Sequence, residues 1–360
     1  MPGGLRERTN GFTISPAGYR KVAYVALVAL WAIVLTGAAV RLTGSGLGCP
    51  DWPKCYGGYV APLRLHAWIE YGNRLLSGIV TIAAVAAGIL AWRRRPFRWE
   101  LALFGALLPL GVVAQAGLGA LTVENDLAPG FVMAHYILSM LILDAAFALA
   151  WCSTYEPGER ERSTDRLGVW AVRCLLPLGA LTIAVGTAVT AAGPHAGGSG
   201  TGDVIRRLDF RGDDTLAWLA TRHATLAAIF LVAVLAVIAL LLRPDGYRWP
   251  VKSLSVLAGL LVVQAIIGVT QYKIGVPSEM VWFHVLFATL VWLAMLWSVG
   301  RAGRLQPAGS AQANGSSSAT SASAGAPRSR SETSAPASSS GHSTAMSGSS
   351  QAIPDSRAGS

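Results

Sequence analysis

Charged residues are scarce in this chain, 13% against 52% hydrophobic over 360 positions. So small a charged fraction, with the apolar residues gathered into long unbroken runs, excludes water as the solvent for most of the chain. Alternation of apolar and polar residues is also missing, and the runs exceed the length of a membrane strand, which excludes a β-barrel. No glycine fingerprint stands at a strand-to-helix turn, so a bound nicotinamide or flavin is not expected. A cleavable leader is not expected either, because the first apolar run follows a polar segment and continues into GAAVRLTGSG without a small-residue cleavage site. Cysteine is limited to four residues and histidine to six. Each can be weighed singly.

What is present is a set of eight apolar runs, near 23–41, 68–92, 100–121, 131–152, 169–191, 216–242, 251–273 and 280–299. Each spans roughly 30 Å of hydrocarbon at about 1.5 Å per helical residue. The expected fold is therefore all-α and integral to a membrane, with eight transmembrane helices. The net charge of +10 is distributed as topology signals. Basic clusters at Arg20–Lys21, Arg93–Arg98, Arg160–Arg173, Arg243–Lys252 and Arg301–Arg304 outnumber Arg41, Lys54, Arg64, Arg206, Arg207, Arg211 and Lys273 on the other side. The positive-inside rule then puts both termini in the cytoplasm and gives nucleic acid no role as a partner.

The chain repeats itself. Gln115, Gly119 and His135 recur 149 positions later as Gln264, Gly268 and His284, and GAAVRLTG from Gly37 answers GTAVTAAG from Gly186 at the same displacement. Two pseudo-symmetric four-helix bundles follow: a leader over 1–22, a first bundle over 23–152, a cytoplasmic linker over 153–168, a second bundle over 169–300 and a Ser/Gly/Ala-rich, disordered tail over 301–360. His342 in that tail is expected to be inert.

Polar groups inside membrane spans are costly and mark sites. Glu70, Asn73 and Arg74 lie in the second run, His135 in the fourth, Arg222 and His223 in the sixth and His284 in the eighth. All four of these runs descend from the outer side, and each polar group falls within about two turns of the start, so the groups share one depth. His223 and His284 can present imidazoles to opposite faces of a flat metal macrocycle; bis-histidine haem suits them better than zinc, which needs further ligands at that level. Superposition sets His135 on His284 but sets His223 between Asn73 and Arg74. The first half thus has one strong ligand position opposite an amide, which suits a macrocycle that is replaced or keeps an open face. Glu70 reads as a carboxylate serving chemistry, against an i, i+4 ion pair with Arg74. Arg74 and Arg222 read as partners of propionates or as snorkelling side chains. Gln115 and Gln264 read as interhelical hydrogen-bond donors.

Outside the spans, Cys49 and Cys55 lie six positions apart in a glycine- and proline-rich outer loop on the oxidising side. A structural disulfide is favoured over free thiols or a redox-active pair. Cys152 and Cys174 read as packing residues. The third outer loop, 191–215, is long enough to form a lid, and His195 within it reads as solvated.

TGSGLGCPDWPKC at 43–55, IEYGNR at 69–74, QAGLGALTV at 115–123, the histidine of the fourth run and their echoes in the second half resemble the haem A synthase family over residues 23–300. The resemblance implies a haem b in the second half held by His223 and His284. It also implies haem O in the first half on His135, with Asn73 and Arg74 lining that seat, and a macrocycle methyl oxidised to formyl with oxygen from water. It matches Glu70 to the family carboxylate and Cys49–Cys55 to its loop disulfide. Implied partners are haem O, membrane lipid, a haem O synthase and an unidentified electron acceptor, with a homo-oligomer also compatible; the implied location is the cell membrane. Members commonly carry histidine where this chain has Asn73, so the second ligand of the substrate haem is unassigned, with His66 a substitute nearer the outer surface. A non-enzymatic dihaem b-type electron carrier is the alternative, and it requires equivalent ligand pairs in both halves. A transporter is the third reading, and it lacks a broken mid-membrane helix.

Overall fold

A computed structural model describes residues 12–303 except 162, 245 and 247, with the backbone of 306–307. The expectations placed on the first eleven residues, and on the tail with His342, lie outside the described residues. Eight helices are each long and apolar enough to cross a membrane: α1 Pro16–Leu42, α2 Leu65–Arg93, α3 Trp99–Glu124, α4 Pro129–Thr154, α5 Arg166–Ala192, α6 Asp214–Leu241, α7 Val251–Lys273 and α8 Ser278–Gly303. The protein is thus an all-α, eight-span membrane protein.

The helices outrun the apolar windows at most ends, and at α1 and α5 a polar cap rather than hydropathy sets the start. Ser15 accepts from the Gly18 amide at 3.2 Å and Pro16 occupies the first turn, so α1 begins seven residues before the run at 23. Asp165 does the same for Gly168 at 2.9 Å and also holds Arg243 at 2.7 Å, which ties the start of α5 to the end of α6. α1 thereby takes in residues 16–22, which lie before the first apolar run.

Each helix of α1–α4 packs on its neighbours in a closed ring, and α5–α8 repeat the arrangement. One apolar cluster fills the first ring around Tyr19, Leu30, Leu101, Leu108 and Leu149; a second fills the other around Leu175, Phe230, Leu254, Leu257 and Met295. The rings meet through α1–α8, α4–α5 and α4–α8. Three tryptophans bridge that seam: Trp31 Nε1 donates to Thr289 Oγ1 at 2.8 Å, Trp282 Nε1 to the Leu35 carbonyl at 3.1 Å, and Trp292 Nε1 to Asp144 Oδ1 at 2.5 Å.

The repeat extends to irregular backbone. Leu127 and Val276, 149 apart, both take positive φ, 54° and 59°, and their amides donate to Thr122 and Gln271 carbonyls, again 149 apart. A non-glycine residue rarely holds that conformation, a β-branched one such as Val276 least of all, so the same turn is enforced twice by the helices it joins. In the turn between α2 and α3, Arg94 is fully buried and paired with Glu156. That basic turn is therefore a packed element.

Candidate functional site

In the second half, α6 and α8 bring His223 and His284 side by side, with ring centres 6.1 Å apart and ring planes inclined at 61°. A metal–nitrogen bond of about 2 Å, with about 1 Å more to the ring centre, puts two trans imidazoles roughly 6 Å apart. The separation matches that value. His223 Nδ1 is 3.0 Å from the Thr182 carbonyl of α5, which fixes Nδ1–H as the donor and leaves Nε2 with a lone pair available to a metal. His284 Nδ1 is buried without a hydrogen-bond partner among the described residues. The ring separation, with the His223 Nε2 that the Thr182 contact leaves available, fits a metal macrocycle held by the two rings.

Glycines make room for both rings. A Cβ on Gly186 would lie 2.9 Å from His223 Cε1, and one on Gly268 would lie 3.1 Å from His284 Cε1. Gln264 Nε2 donates to the His284 carbonyl at 3.0 Å, which pins the ligand-bearing turn of α8 to α7.

The first half repeats part of this. Gln115 Nε2 donates to the His135 carbonyl at 3.1 Å and bonds Ser139 Oγ; a Cβ on Gly119 would sit 3.4 Å from His135 Cε1, and His135 Nδ1 is buried and unpartnered among the described residues. On α2 the repeat fails. Asn73 reaches across to α1, where Thr36 Oγ1 donates to its Oδ1 at 2.8 Å and also approaches the Ile33 carbonyl at 3.2 Å. Ile33 stands 149 positions before Thr182, and by that strict count Arg74 is the counterpart of His223, with Asn73 one residue short of it. Arg74 is drawn away: Nη1 donates to the Asp51 and Lys54 carbonyls at 3.0 and 2.9 Å, and Nη2 lies 2.5 Å from Glu70 Oε1.

Glu70 is 6% exposed and its other oxygen accepts from the Cys49 amide at 2.8 Å. One oxygen therefore holds the outer loop and the other holds Arg74, in the i, i+4 pair that the sequence offered beside a chemical role. Cys49 and Cys55 are disulfide-bonded, and both are buried against Ala61 and Ala67. Within that loop Asp51 accepts from the Tyr56 and Gly57 amides at 2.6 and 2.8 Å, and those hydrogen bonds, Gly57 first, hold its carboxyl below the usual range.

The long third outer loop locks onto the first. Gly46 donates to the Gly197 carbonyl at 2.8 Å, Gly200 donates to the Gly44 carbonyl at 3.1 Å, and Arg41 Nη2 donates to the carbonyls of Thr190 and His195 at 2.9 and 2.6 Å. His195 is half-buried with Nε2 2.7 Å from the Val276 carbonyl, which corrects its reading as a solvated residue: a donor among loop carbonyls is recruited as a cross-brace. His66 is tied to Ser45 Oγ at 2.8 Å in this outer layer. Arg222 is exposed, stacked 4.6 Å from the Trp218 ring beside an apolar groove of about 430 Å³ between α5 and α6. Cys152 is half-buried, whereas Cys174 is exposed on the outer face of its bundle rather than packed.

Sequence reasoning missed two polar groups. Asp144, in the apolar run SMLILDAAFA, was detectable as a carboxylate within a span; Thr36 carried no such signal, because a threonine in an apolar helix is ordinary until its partner is known.

Fold and seam define a multi-pass helical membrane protein made of a duplicated bundle, with paired histidines in one copy. The chain belongs to the COX15-CtaA family, described as cytochrome oxidase assembly protein, whose model matches residues 20–296; the family is haem-related. A heme A synthase of Geobacillus kaustophilus is 38% identical over 109 residues, 29% of this chain and 32% of that protein. A heme A synthase of Shewanella oneidensis is 31% identical over 142 residues, 33% of this chain and 42% of the relative. A protoheme IX farnesyltransferase of Thermus thermophilus is 30% identical over 300 residues, 79% of this chain and 48% of the relative. The matched stretch spans between about a third and a half of these relatives.

Proposed function

We propose that the protein is a haem A synthase: it oxidises a methyl substituent of haem O to a formyl group for cytochrome oxidase. The balance is one methyl and one water converted to one formyl, four protons and four electrons. The observation that carries this is the asymmetry of the repeat. A Gln–Gly–His unit stands in both halves, but among the described residues a second imidazole stands beside that histidine in the second half, whereas the first half's His66 is tied to Ser45 in the outer layer. A dihaem carrier needs equivalent pairs, and Asn73 is not one.

His223 and His284 would hold the resident haem b, which supplies a one-electron relay when bound. His135 binds the substrate macrocycle, and its backbone is fixed by Gln115. Glu70 is the catalytic carboxylate: with Arg74 it sets the loop of the disulfide over the first-half seat, and it accepts a proton on the outer side of the bundle. The interlocked outer loops exclude bulk water from that seat. The two bundles, 23–152 and 169–300, divide substrate from cofactor.

The protein sits in the cell membrane with both termini cytoplasmic, in accord with the basic inner segments. The farnesyltransferase relative, about half of which this chain matches, supports a haem O synthase as the supplier of substrate. An electron acceptor completes the reaction.

Purification of the full chain followed by acid extraction of its haems tests the assignment. Haem A, or a hydroxylated haem O, beside haem b is expected. Haem b alone at two per chain would make it a carrier.

A further inference from the structure

The repeat breaks at one face of one seat, and what replaces the second imidazole is both an amide and a space. In the second half the region beside Gly186 is filled by the His223 ring, 2.9 Å from the position of a Cβ. Its counterpart Gly37 lies on the α1 face that carries the buried Leu30, Ala26 and Ala23, yet a Cβ there meets nothing within 4 Å. Arg74, the other residue the register brings to this place, is committed to the outer loop. Of the two, Asn73 is the polar group left. Thr36 has one hydroxyl proton, and the shorter of its two contacts, 2.8 Å against 3.2 Å, sends it to Asn73 Oδ1. The amide oxygen is thereby occupied and the amide nitrogen, with two N–H donors, is the free end.

We propose that the first half binds its substrate with His135 as the sole protein ligand, and that the opposite face admits a small exchangeable ligand accepting a hydrogen bond from Asn73. This rests on the function proposed above and specifies its substrate seat. The ligand class is a hydrogen-bond acceptor no larger than an imidazole ring, such as water, hydroxide or cyanide. Thr36 is a positioning residue: it fixes which end of the amide faces the space. An interhelical hydrogen bond alone would account for Thr36 and Asn73, but it would leave the space at Gly37 without a purpose in a fold that packs its other seat closely.

The test uses the purified full chain, supplied with ferric haem until both halves are loaded, and reads optical and electron paramagnetic resonance spectra during cyanide titration. A low-spin component indifferent to cyanide is expected from the second half, and a high-spin component that cyanide converts is expected from the first. Asn73→His should make the whole protein low-spin and inert to cyanide. Gly37→Val, at a position with room for the larger side chain, should weaken cyanide binding at least about tenfold, a change of one unit in the logarithm of Kd. Asn73→Leu should keep the high-spin component and lower cyanide affinity severalfold, and Thr36→Val should do the same more weakly.

A wild-type first half that is low-spin and inert to cyanide overturns the proposal, as does a titration that neither Gly37→Val nor Asn73→Leu alters. If the extracted haems lack haem A and its hydroxylated precursor while the cyanide response stands, the proposed function fails and the ligand inference survives. A first half that takes up no macrocycle overturns both.

Discussion

At Glu70 a carboxylate, a guanidinium and a main-chain amide meet in a region almost closed to solvent, and substitutions there separate anchoring from chemistry. Glu70→Gln keeps an acceptor for the Cys49 amide while removing the charge. It is expected to leave the outer loop resistant to protease and the b-type spectrum intact, yet to reduce haem A formation by at least about a hundredfold; full turnover would reduce Glu70 to a loop anchor. His223→Ala should act the other way, stripping the resident haem first, which the reduced-minus-oxidised spectrum reads directly. Asp51 sets an acid limit on the same loop. Its carboxyl is depressed by the Gly57 and Tyr56 amides, so its contribution is complete above the ordinary carboxylate value of about 3.9 and is lost as pH falls through the lower folded value. Loop proteolysis is therefore expected to be flat from about pH 5 to 8, and Asp51→Asn should raise it throughout that interval.

Between elements, the glutamines at 115 and 264 do the same work twice: each crosses from one helix to the carbonyl of the next helix's histidine. Such bonds contribute about 0.6–2 kcal/mol in a membrane. That is enough to fix a rotation but not to hold a bundle together. Gln264→Leu should then lower haem b retention and broaden its low-spin signal with little change in thermal stability in detergent. Arg94 is a different case. Breaking its pair with Glu156 by Arg94→Met leaves a carboxylate that is only partly buried, so a loss of about 3 kcal/mol, the low end for buried pairs, is expected, read as a lowered melting temperature. Both glutamines were legible as interhelical donors because a polar amide in an apolar run has few other uses. The burial of Arg94 was not, because a basic turn beside a membrane span looks the same in sequence whether it faces lipid headgroups or another helix.

Across the whole molecule, orientation is testable through single cysteines. Ser199→Cys in the third outer loop should react with an impermeant maleimide in intact cells, and Ser163→Cys, between the bundles, only after permeabilisation. The reverse pattern would invert the topology. Eight spans and the duplication were determined by the chain itself, since the lengths of apolar runs and a register of 149 positions are properties of sequence alone. Tertiary structure alone decided how the counterpart of His223 is used. The register of 149 falls on Arg74, but the outer-loop carbonyls hold its guanidinium, and the neighbouring amide of Asn73 is the group bonded to Thr36 on the facing helix. It also decided that the outer segments form one braced layer, with Leu127 packed beside Gly46 and Gly197 and His195 bound to Val276, because contacts between segments distant in sequence leave no periodic trace in either one.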